Sequence, residues 1–317
     1  MTITDKIDNI TLIDEAHYGT TIAAPRSVKI ELTGRCNFRC SYCARSMRLR
    51  EQQDMDFEFY RTVVRDMHDS GVEELGLFYL GESFLYPKLV EAIQYAKEIG
   101  FKYVFLTTNG SIAEPEKVET CMKAGLDSLK FSLNYADDKQ FEEIARVKGR
   151  MFYRMLNNLY SARDIRNKIQ EKTGHRCGLY ASYIAYDGEQ KTRMQALLNK
   201  IEPYVDEIYA LPLYNQASFV QSVIDELGYI PVAGNLGRLD RLREPLPCWA
   251  CFTEGHITWD GRLSACCFDH DGRFDMGNLK RNTFMECWNS ERFVALREAH
   301  LKKDVCNTVC EKCVVWS

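Results

Sequence analysis

Long hydrophobic runs are missing from this chain. No stretch approaches the roughly 20 apolar residues that a membrane-spanning helix needs, so no membrane association is expected. Met1 to Ala24 mixes Asp, Lys, Glu and Thr with short apolar runs and has no signal-peptide core. A cytoplasmic protein is therefore the expectation. Basic charge is not in excess either: 41 Lys and Arg stand against 45 Asp and Glu, for a net charge of −4. Nucleic-acid binding usually requires a clustered basic face, and none is legible, so no nucleic-acid partner is expected. Repeats and low-complexity tracts are absent. A disulfide framework is disfavoured, because the 13 cysteines are odd in number in a long chain without a secretion signal.

What is present is an ordinary globular composition, 45% hydrophobic and 27% charged over 317 residues, with room for one large domain and a small one. Short apolar runs read as strands at Val28–Leu32, Leu75–Leu80, Tyr103–Thr108, Ser128–Leu133, Gly178–Ile184 and Glu207–Leu211. Between them lie amphipathic stretches such as Phe57–Ser70, Tyr86–Ile99 and Pro115–Ala124, with apolar residues three and four apart. Gly71, Gly100 and Gly125 stand where helix C-caps are expected. Six β–α alternations imply an α/β fold with a parallel sheet, doubly wound or a partial barrel, whose ligands bind at the carboxyl ends of the strands.

After Pro212 the rhythm breaks. The pattern divides the chain into an N-terminal extension (1–24), the α/β unit (25–213), a linker (214–247) and a small cysteine-rich domain (248–317). The linker reads as a helix followed by a Gly/Pro/Arg-rich connector. The last part reads as short strands at His256–Trp259 and Leu263–Cys266, then a helix around Arg292–Leu301.

The cysteines are clustered. Cys121, Cys177 and Cys287 stand apart and read as small buried hydrophobes. Cys36-Asn37-Phe38-Arg39-Cys40-Ser41-Tyr42-Cys43 follows the first strand. Thiolates are the usual ligands of iron–sulfur clusters, and three of them around a four-iron cubane leave one iron open for a cofactor. Zinc would need a fourth ligand, and no His or Cys lies close by in sequence.

This C-x3-C-x2-C triplet resembles that of the radical S-adenosylmethionine (SAM) superfamily, and the likeness extends over about 190 residues. Leu80-Gly81-Glu82-Ser83 is similar to the family's glycine–glutamate motif, with Leu80 replacing its first glycine; the resemblance implies that Gly81 and Glu82 meet the SAM amino group. Thr107-Thr108-Asn109-Gly110 resembles the segment beside the SAM ribose and methionine. Ser132 and Asn134 stand at further SAM-contacting positions, and Tyr42 near the adenine. The family likeness implies a partial (β/α)6 barrel and a [4Fe–4S] cluster on Cys36, Cys40 and Cys43. It also implies SAM cleavage to a 5′-deoxyadenosyl radical that abstracts hydrogen from a C–H bond, and a flavodoxin- or ferredoxin-type reductant.

Cys248, Cys251, Cys266, Cys267, Cys306, Cys310 and Cys313, with Trp259-Asp260-Gly261 and Gly277-Asn278-Leu279 among them, resemble the SPASM or shorter twitch extension of that superfamily. The resemblance implies one auxiliary [4Fe–4S] cluster on Cys248, Cys266, Cys310 and Cys313. A structural zinc site and a ligand role for Cys306 are the alternatives. Adjacent residues in a strand point to opposite faces, so Cys267 is expected to turn away from Cys266 towards the barrel mouth. There it would return hydrogen to a substrate radical, as a cysteine does in similar epimerases; Cys251 is a second choice for that role. A buried hydrophobe or a substitute ligand are the plainer readings of Cys267.

Epimerisation of a polar small molecule such as a sugar or aminocyclitol is the leading expectation. Twitch-type dehydrogenation, modification of a ribosomal peptide and pure electron transfer are the alternatives. Only 35 residues precede Cys36, which disfavours a leader-binding domain, although a short peptide substrate stays open. Tyr209, Tyr214, Asn215 and Gln216 either line the substrate site or occupy surface turns.

Overall fold

The computed structural model describes residues 2–47, 49–186, 188–219 and 232–314. The helix expected in the linker falls largely on 220–231, outside the described residues. Among these, no helix is long and apolar enough to cross a membrane.

Six strands form one parallel sheet: β1 (Ser27–Ile30), β2 (Glu74–Gly76), β3 (Tyr103–Thr108), β4 (Ser128–Ser132), β5 (Gly178–Ile184) and β6 (Glu207–Leu211). Helices α2 (Phe57–Asp69), α3 (Leu89–Ile99), α4 (Pro115–Lys123), α5 (Asp138–Ala145), α6 (Arg150–Thr173) and α7 (Glu189–Ile201) connect them. Gly71, Gly100 and Gly125 all take positive φ at helix ends, as the spacing predicts. The strands alternate. Val28, Ile30, Leu75, Val104, Leu106, Leu129 and Phe131 are sealed within the core, while Lys29, Phe105, Lys130 and Tyr180 on the other face keep partial exposure. A hollow lumen on the polar face explains that asymmetry.

Strand β2 is shorter than the predicted Leu75–Leu80. A Cβ on Gly76 would lie 2.9 Å from the Phe105 ring, and beyond it the chain leaves the sheet in bends.

Helix α1 (Ile3–Ile10) seals the end of the barrel where the strands begin. Thr2 and Asp5 form a capping box at its start. The amides of Ile3 and Thr4 donate to Glu207 Oε2 (2.9 and 3.4 Å), a carboxylate well placed against the helix N-terminus. Lys6 pairs with Glu74 at 2.7 Å, and buried Asp8 receives Arg238 at 3.0 and 2.9 Å.

The sheet does not stop at the barrel. Strand β7 (Glu254–Ile257) pairs in parallel with β1, setting Lys29 opposite His256, and β8 (Arg262–Ser264) and β9 (Asp275–Asn278) continue antiparallel. Nine strands thus run in the order β6-β5-β4-β3-β2-β1-β7-β8-β9. Helices α8 (Phe284–Trp288), α9 (Glu291–Leu301) and α10 (Glu311–Val314) complete the C-terminal part. Cys121, Cys177 and Cys287 are each about 1% exposed, in keeping with hydrophobic roles.

Candidate radical site and auxiliary cysteine cluster

The loop after β1 carries Cys36, Cys40 and Cys43 and is fixed from several sides. Arg35 grips Asp54 through two nitrogens (3.0 and 2.6 Å) and also donates to the Leu85 carbonyl. Arg45 donates to the Gly34 carbonyl at 2.8 Å. The amides of Arg39 and Ser41 bond to Ala145 and Ile144 at the end of α5, and Phe38 packs edge-on against Phe141 at 5.3 Å. Burial pushes the Cys36 thiol up to about 11, with the nearby Glu82 carboxylate adding to the shift. Burial also raises Cys40 and Cys43. Such thiols give up their protons to iron rather than to water. Among the described residues, no three His, Cys, Asp or Glu side chains converge as the ligands of one metal ion would. A cubane, several ångströms across, asks for a wider ring of thiolates than a single ion does. The donor set therefore fits a three-thiolate [4Fe–4S] cluster.

Glu82 is buried beside this loop. Its Oε1 accepts from the Thr108 hydroxyl (2.8 Å) and the Phe84 amide (3.2 Å), and its Oε2 accepts from the Asn109 amide (2.8 Å). Burial raises its carboxyl, and these three hydrogen bonds act against the rise. A carboxylate has about four lone-pair sites, so one acceptor position remains for an ammonium group. Gly81 has no substitute: a Cβ there would lie 1.9 Å from the Thr33 carbonyl oxygen. The Asn109 side chain donates to Asn37 at 2.9 Å and approaches Cys36 Sγ at 3.9 Å, while Asn37 donates to Ser111 at 2.8 Å. Cys36, Glu82, Thr108 and Asn109 thus form one network. Asn37 and Ser111, not anticipated from sequence, join its halves. Tyr42 and Asn134 meet directly, the amide donating to the phenol oxygen at 2.5 Å. Ser132 ends β4 opposite Ser182, and among the described residues no side-chain hydrogen bond ties it to this network.

The cysteines of the second group lie close enough to influence one another. Cys266 interacts with the Cys267 thiol, Cys310 with the Cys251 thiol, and Cys248 feels Cys251, Cys313 and Cys267. Burial raises Cys313 as well. His300, also buried, adds its ring: Nδ1 lies 3.1 Å from the Cys248 amide nitrogen and Nε2 lies 3.3 Å from Cys310 Sγ. Cys306 stands outside the group, fully exposed beside Asp304.

One expectation is corrected here. Strand β8 ends at Ser264, so Cys266 and Cys267 lie beyond it, Cys267 within a turn. Strand alternation does not apply, and the two thiols are neighbours rather than opposed. Cys267 nevertheless also lines the lumen, where the Asn235 amide donates to its sulfur at 3.1 Å.

The lumen cavity measures about 280 Å³ and includes Lys29, Lys130, Tyr209, Tyr214, Glu254 and Cys267 in its walls. Lys29 pairs with Glu254 at 2.8 Å, and the same carboxylate oxygen meets His256 at 3.0 Å. Burial pushes Glu254 up, but the Lys29 ammonium and His256 outweigh it and hold the carboxyl down to about 2. Burial lowers His256. Of the four residues with two readings, Tyr209 and Tyr214 line the cavity. Asn215 does neither, being buried and donating to the Cys313 carbonyl at 3.1 Å, while Gln216 sits in a half-buried turn and donates to the Tyr42 carbonyl at 2.6 Å.

Comparison with known proteins agrees with this geometry. Residues 30–175 match the radical SAM superfamily, and residues 248–314 match the SPASM iron–sulfur cluster-binding domain. The chain is 26% identical to a PqqA peptide cyclase of Xanthomonas axonopodis pv. citri, over 92% of this chain and 82% of that protein. It is 33% identical to a probable GTP 3′,8-cyclase of Methanothermobacter marburgensis, over only 38% of this chain and 39% of that one. Among solved structures, BtrN in complex with AdoMet and 2-DOIA shares the fold with a TM-score of 0.60, at 15% identity over 90% of this chain and 91% of that one. Streptococcus suis SuiB bound to the precursor peptide SuiA gives 0.63, at 15% identity over 92% of this chain and 68% of that one. The chain belongs to the radical SAM superfamily, enzymes that use S-adenosylmethionine on a [4Fe–4S] cluster, and it carries an auxiliary iron–sulfur cluster in a C-terminal SPASM domain.

Proposed function

We propose that this enzyme abstracts hydrogen from a C–H bond of a polar small molecule held in the barrel lumen, and that Cys267 returns a hydrogen from another direction to give an epimer, its thiyl radical then taking one electron from the flavodoxin- or ferredoxin-type donor and a proton from solvent. The observation that carries this reading is Cys267 itself: its thiol lines the lumen and is held there by Asn235 at 3.1 Å. Bound SAM, reduced through the open iron, would supply the 5′-deoxyadenosyl radical, with a flavodoxin- or ferredoxin-type protein as electron donor. The chain's own residues do the rest. Cys36, Cys40 and Cys43 would hold the first cluster, and Glu82 would receive the SAM ammonium with its remaining acceptor position. Asn109 and Asn37 keep the two SAM-facing loops in register, and the Asn134–Tyr42 pair fixes the phenol near the second cysteine, Cys40. Cys248, Cys266, Cys310 and Cys313 would hold the auxiliary cluster. Lys29, Lys130, Tyr209 and Tyr214 supply the polar groups that would orient the substrate.

The likeness to PqqA peptide cyclase over 92% of this chain favours a second substrate class, a peptide. Dehydrogenation is the competing reaction, with a base taking a proton and the auxiliary cluster an electron. One experiment separates these. Cys267→Ala and wild type are reconstituted anaerobically and offered a library of sugars, aminocyclitols and short peptides in D2O with dithionite and SAM. Epimerisation predicts solvent deuterium in the wild-type product and loss of product in Cys267→Ala, with 5′-deoxyadenosine still formed. Persistence of product in Cys267→Ala sinks the epimerase reading, and the library member turned over fixes the substrate class.

A further inference from the structure

His300 lies on α9 and is fully buried. Its Nδ1 faces the backbone nitrogen of Cys248 at 3.1 Å; its Nε2 is 3.3 Å from Cys310 Sγ and 3.8 Å from Cys251 Sγ. A backbone N–H can only donate, so Nδ1 must be the accepting nitrogen and carries no proton. The neutral ring then has its hydrogen on Nε2, directed at sulfur. Coordination of iron through Nε2 would require the opposite tautomer, which would set an Nδ1–H against the Cys248 N–H. Donor would face donor.

We propose that His300 is a positioning residue of the auxiliary cluster, donating an Nε2–H hydrogen bond to the Cys310 thiolate while its Nδ1 anchors the backbone of Cys248. This rests on the reading that Cys248 and Cys310 are cluster ligands. One imidazole then joins ligands from the two ends of the C-terminal segment. Hydrogen bonds to ligand sulfur withdraw charge from a cluster, so they stabilise its more negative, reduced form and raise its potential. The ring is closed off from water, with Phe252 set edge-on at 6.5 Å, so solvent does not dilute the effect. Cys251, the other sulfur near Nε2, lies farther from it, at 3.8 Å against 3.3 Å for Cys310, and also reaches the Ala265 carbonyl at 3.8 Å, so Cys310 is the nearer acceptor.

The test uses the full chain with Cys36, Cys40 and Cys43 replaced by alanine, so that only the auxiliary cluster reports. His300, His300→Gln and His300→Leu forms are reconstituted anaerobically, and the iron content and the midpoint potential followed by EPR are measured. Each should hold about four irons per chain. His300→Leu should titrate at a more negative potential than the parent, and His300→Gln, which keeps an N–H near the same place, should fall between. An exchangeable deuteron coupled to the cluster in D2O should be present in the parent and lost in His300→Leu. An unchanged midpoint in iron-replete His300→Leu overturns the proposal, and so does a directly bound nitrogen in pulsed EPR of the parent. If His300→Leu loses iron, His300→Gln decides: a midpoint equal to the parent's, with no deuteron coupling in the parent, refutes the hydrogen bond. Failure of the underlying reading shows differently, as full auxiliary iron in Cys310→Ala or Cys248→Ala.

Discussion

Asn215 and Gln216 are adjacent in the chain, yet their side chains serve the two cysteine groups separately. Asn215 donates to the carbonyl of Cys313 at 3.1 Å, while Gln216 donates to the carbonyl of Tyr42 at 2.6 Å and accepts from the amide of Ala44 at 3.1 Å. The turn around Cys43, the last radical-site cysteine, and Cys313, the last auxiliary cysteine, are therefore held to one dipeptide. Gln216, Ala217 and Ser218 all take positive φ (48°, 58° and 72°), a conformation that non-glycine residues adopt only under outside constraint.

Gln216→Ala removes both bonds to the 42–44 turn and takes the side-chain partner from the half-buried Tyr42 carbonyl and the Ala44 amide. A loss of about 1–3 kcal/mol is expected, read as a fall of several degrees in the melting temperature of the reconstituted protein. Yield of 5′-deoxyadenosine should drop, while auxiliary-cluster iron stays at the wild-type level. Equal loss of iron from both sites would show that the dipeptide merely supports the fold.

At the SAM side, Gly81→Ala forces a methyl onto the Thr33 carbonyl oxygen at 1.9 Å. The cost should exceed the usual 1–3 kcal/mol of overpacking, because backbone must move. Glu82→Gln is milder for the fold but turns one acceptor oxygen into an NH2 donor. SAM affinity measured by isothermal titration should fall at least tenfold, with the iron content unchanged.

Lys29 and Glu254 supply a pH test. The Glu254 carboxyl is held down to about 2 in the fold, against about 4.3 for a free Glu. A depressed carboxyl gives stability that is present above the unfolded value and lost as pH falls towards the folded one. Lys29→Met leaves the buried Glu254 carboxylate with His256 alone beside it, at a cost of up to about 3–5 kcal/mol at neutral pH. Its deficit against wild type should narrow as pH drops below about 5, since the stranded carboxyl can then take up a proton. Urea denaturation of both forms across pH checks this, and a deficit that stays constant with pH would show that the pair is not the cause.

Cysteine roles separate cleanly by iron counting. Cys306 is exposed and away from the other thiols, so Cys306→Ser should retain about eight irons per chain, four for each cubane. Cys313→Ser should lose about half. Retention of full iron in Cys313→Ser would remove it from the ligand set.

Much of this was legible in sequence, for definable reasons. The six parallel strands announced themselves because their outward faces carry Val, Ile, Leu and Phe at every second position, as at Val104 and Leu106. The cysteine loop and the Gly81-Glu82 and Thr108-Asn109 segments fall at strand ends, where an α/β fold puts ligands. Other features depend on tertiary contacts that no local pattern encodes. Helix α1 begins with Asp5 in its capping box and owes its place to Glu74, Glu207 and Arg238, all distant in sequence. The Cys266-Cys267 doublet read as strand because Leu263, Ala265 and Cys266 are apolar, yet the ladder ends at Ser264 and the chain turns. His300 reads as an ordinary helix residue until α9 is set against Cys248 and Cys310.

The pairing of β7 with β1 bears on how the polypeptide can be divided. A fragment that stops before Cys248 would leave Ser27–Ile30 as a bare strand with one row of amides and carbonyls unmatched, and such edges recruit strands from other molecules. The cluster-bearing segment thus also acts as an edge guard, shielding the barrel from self-association.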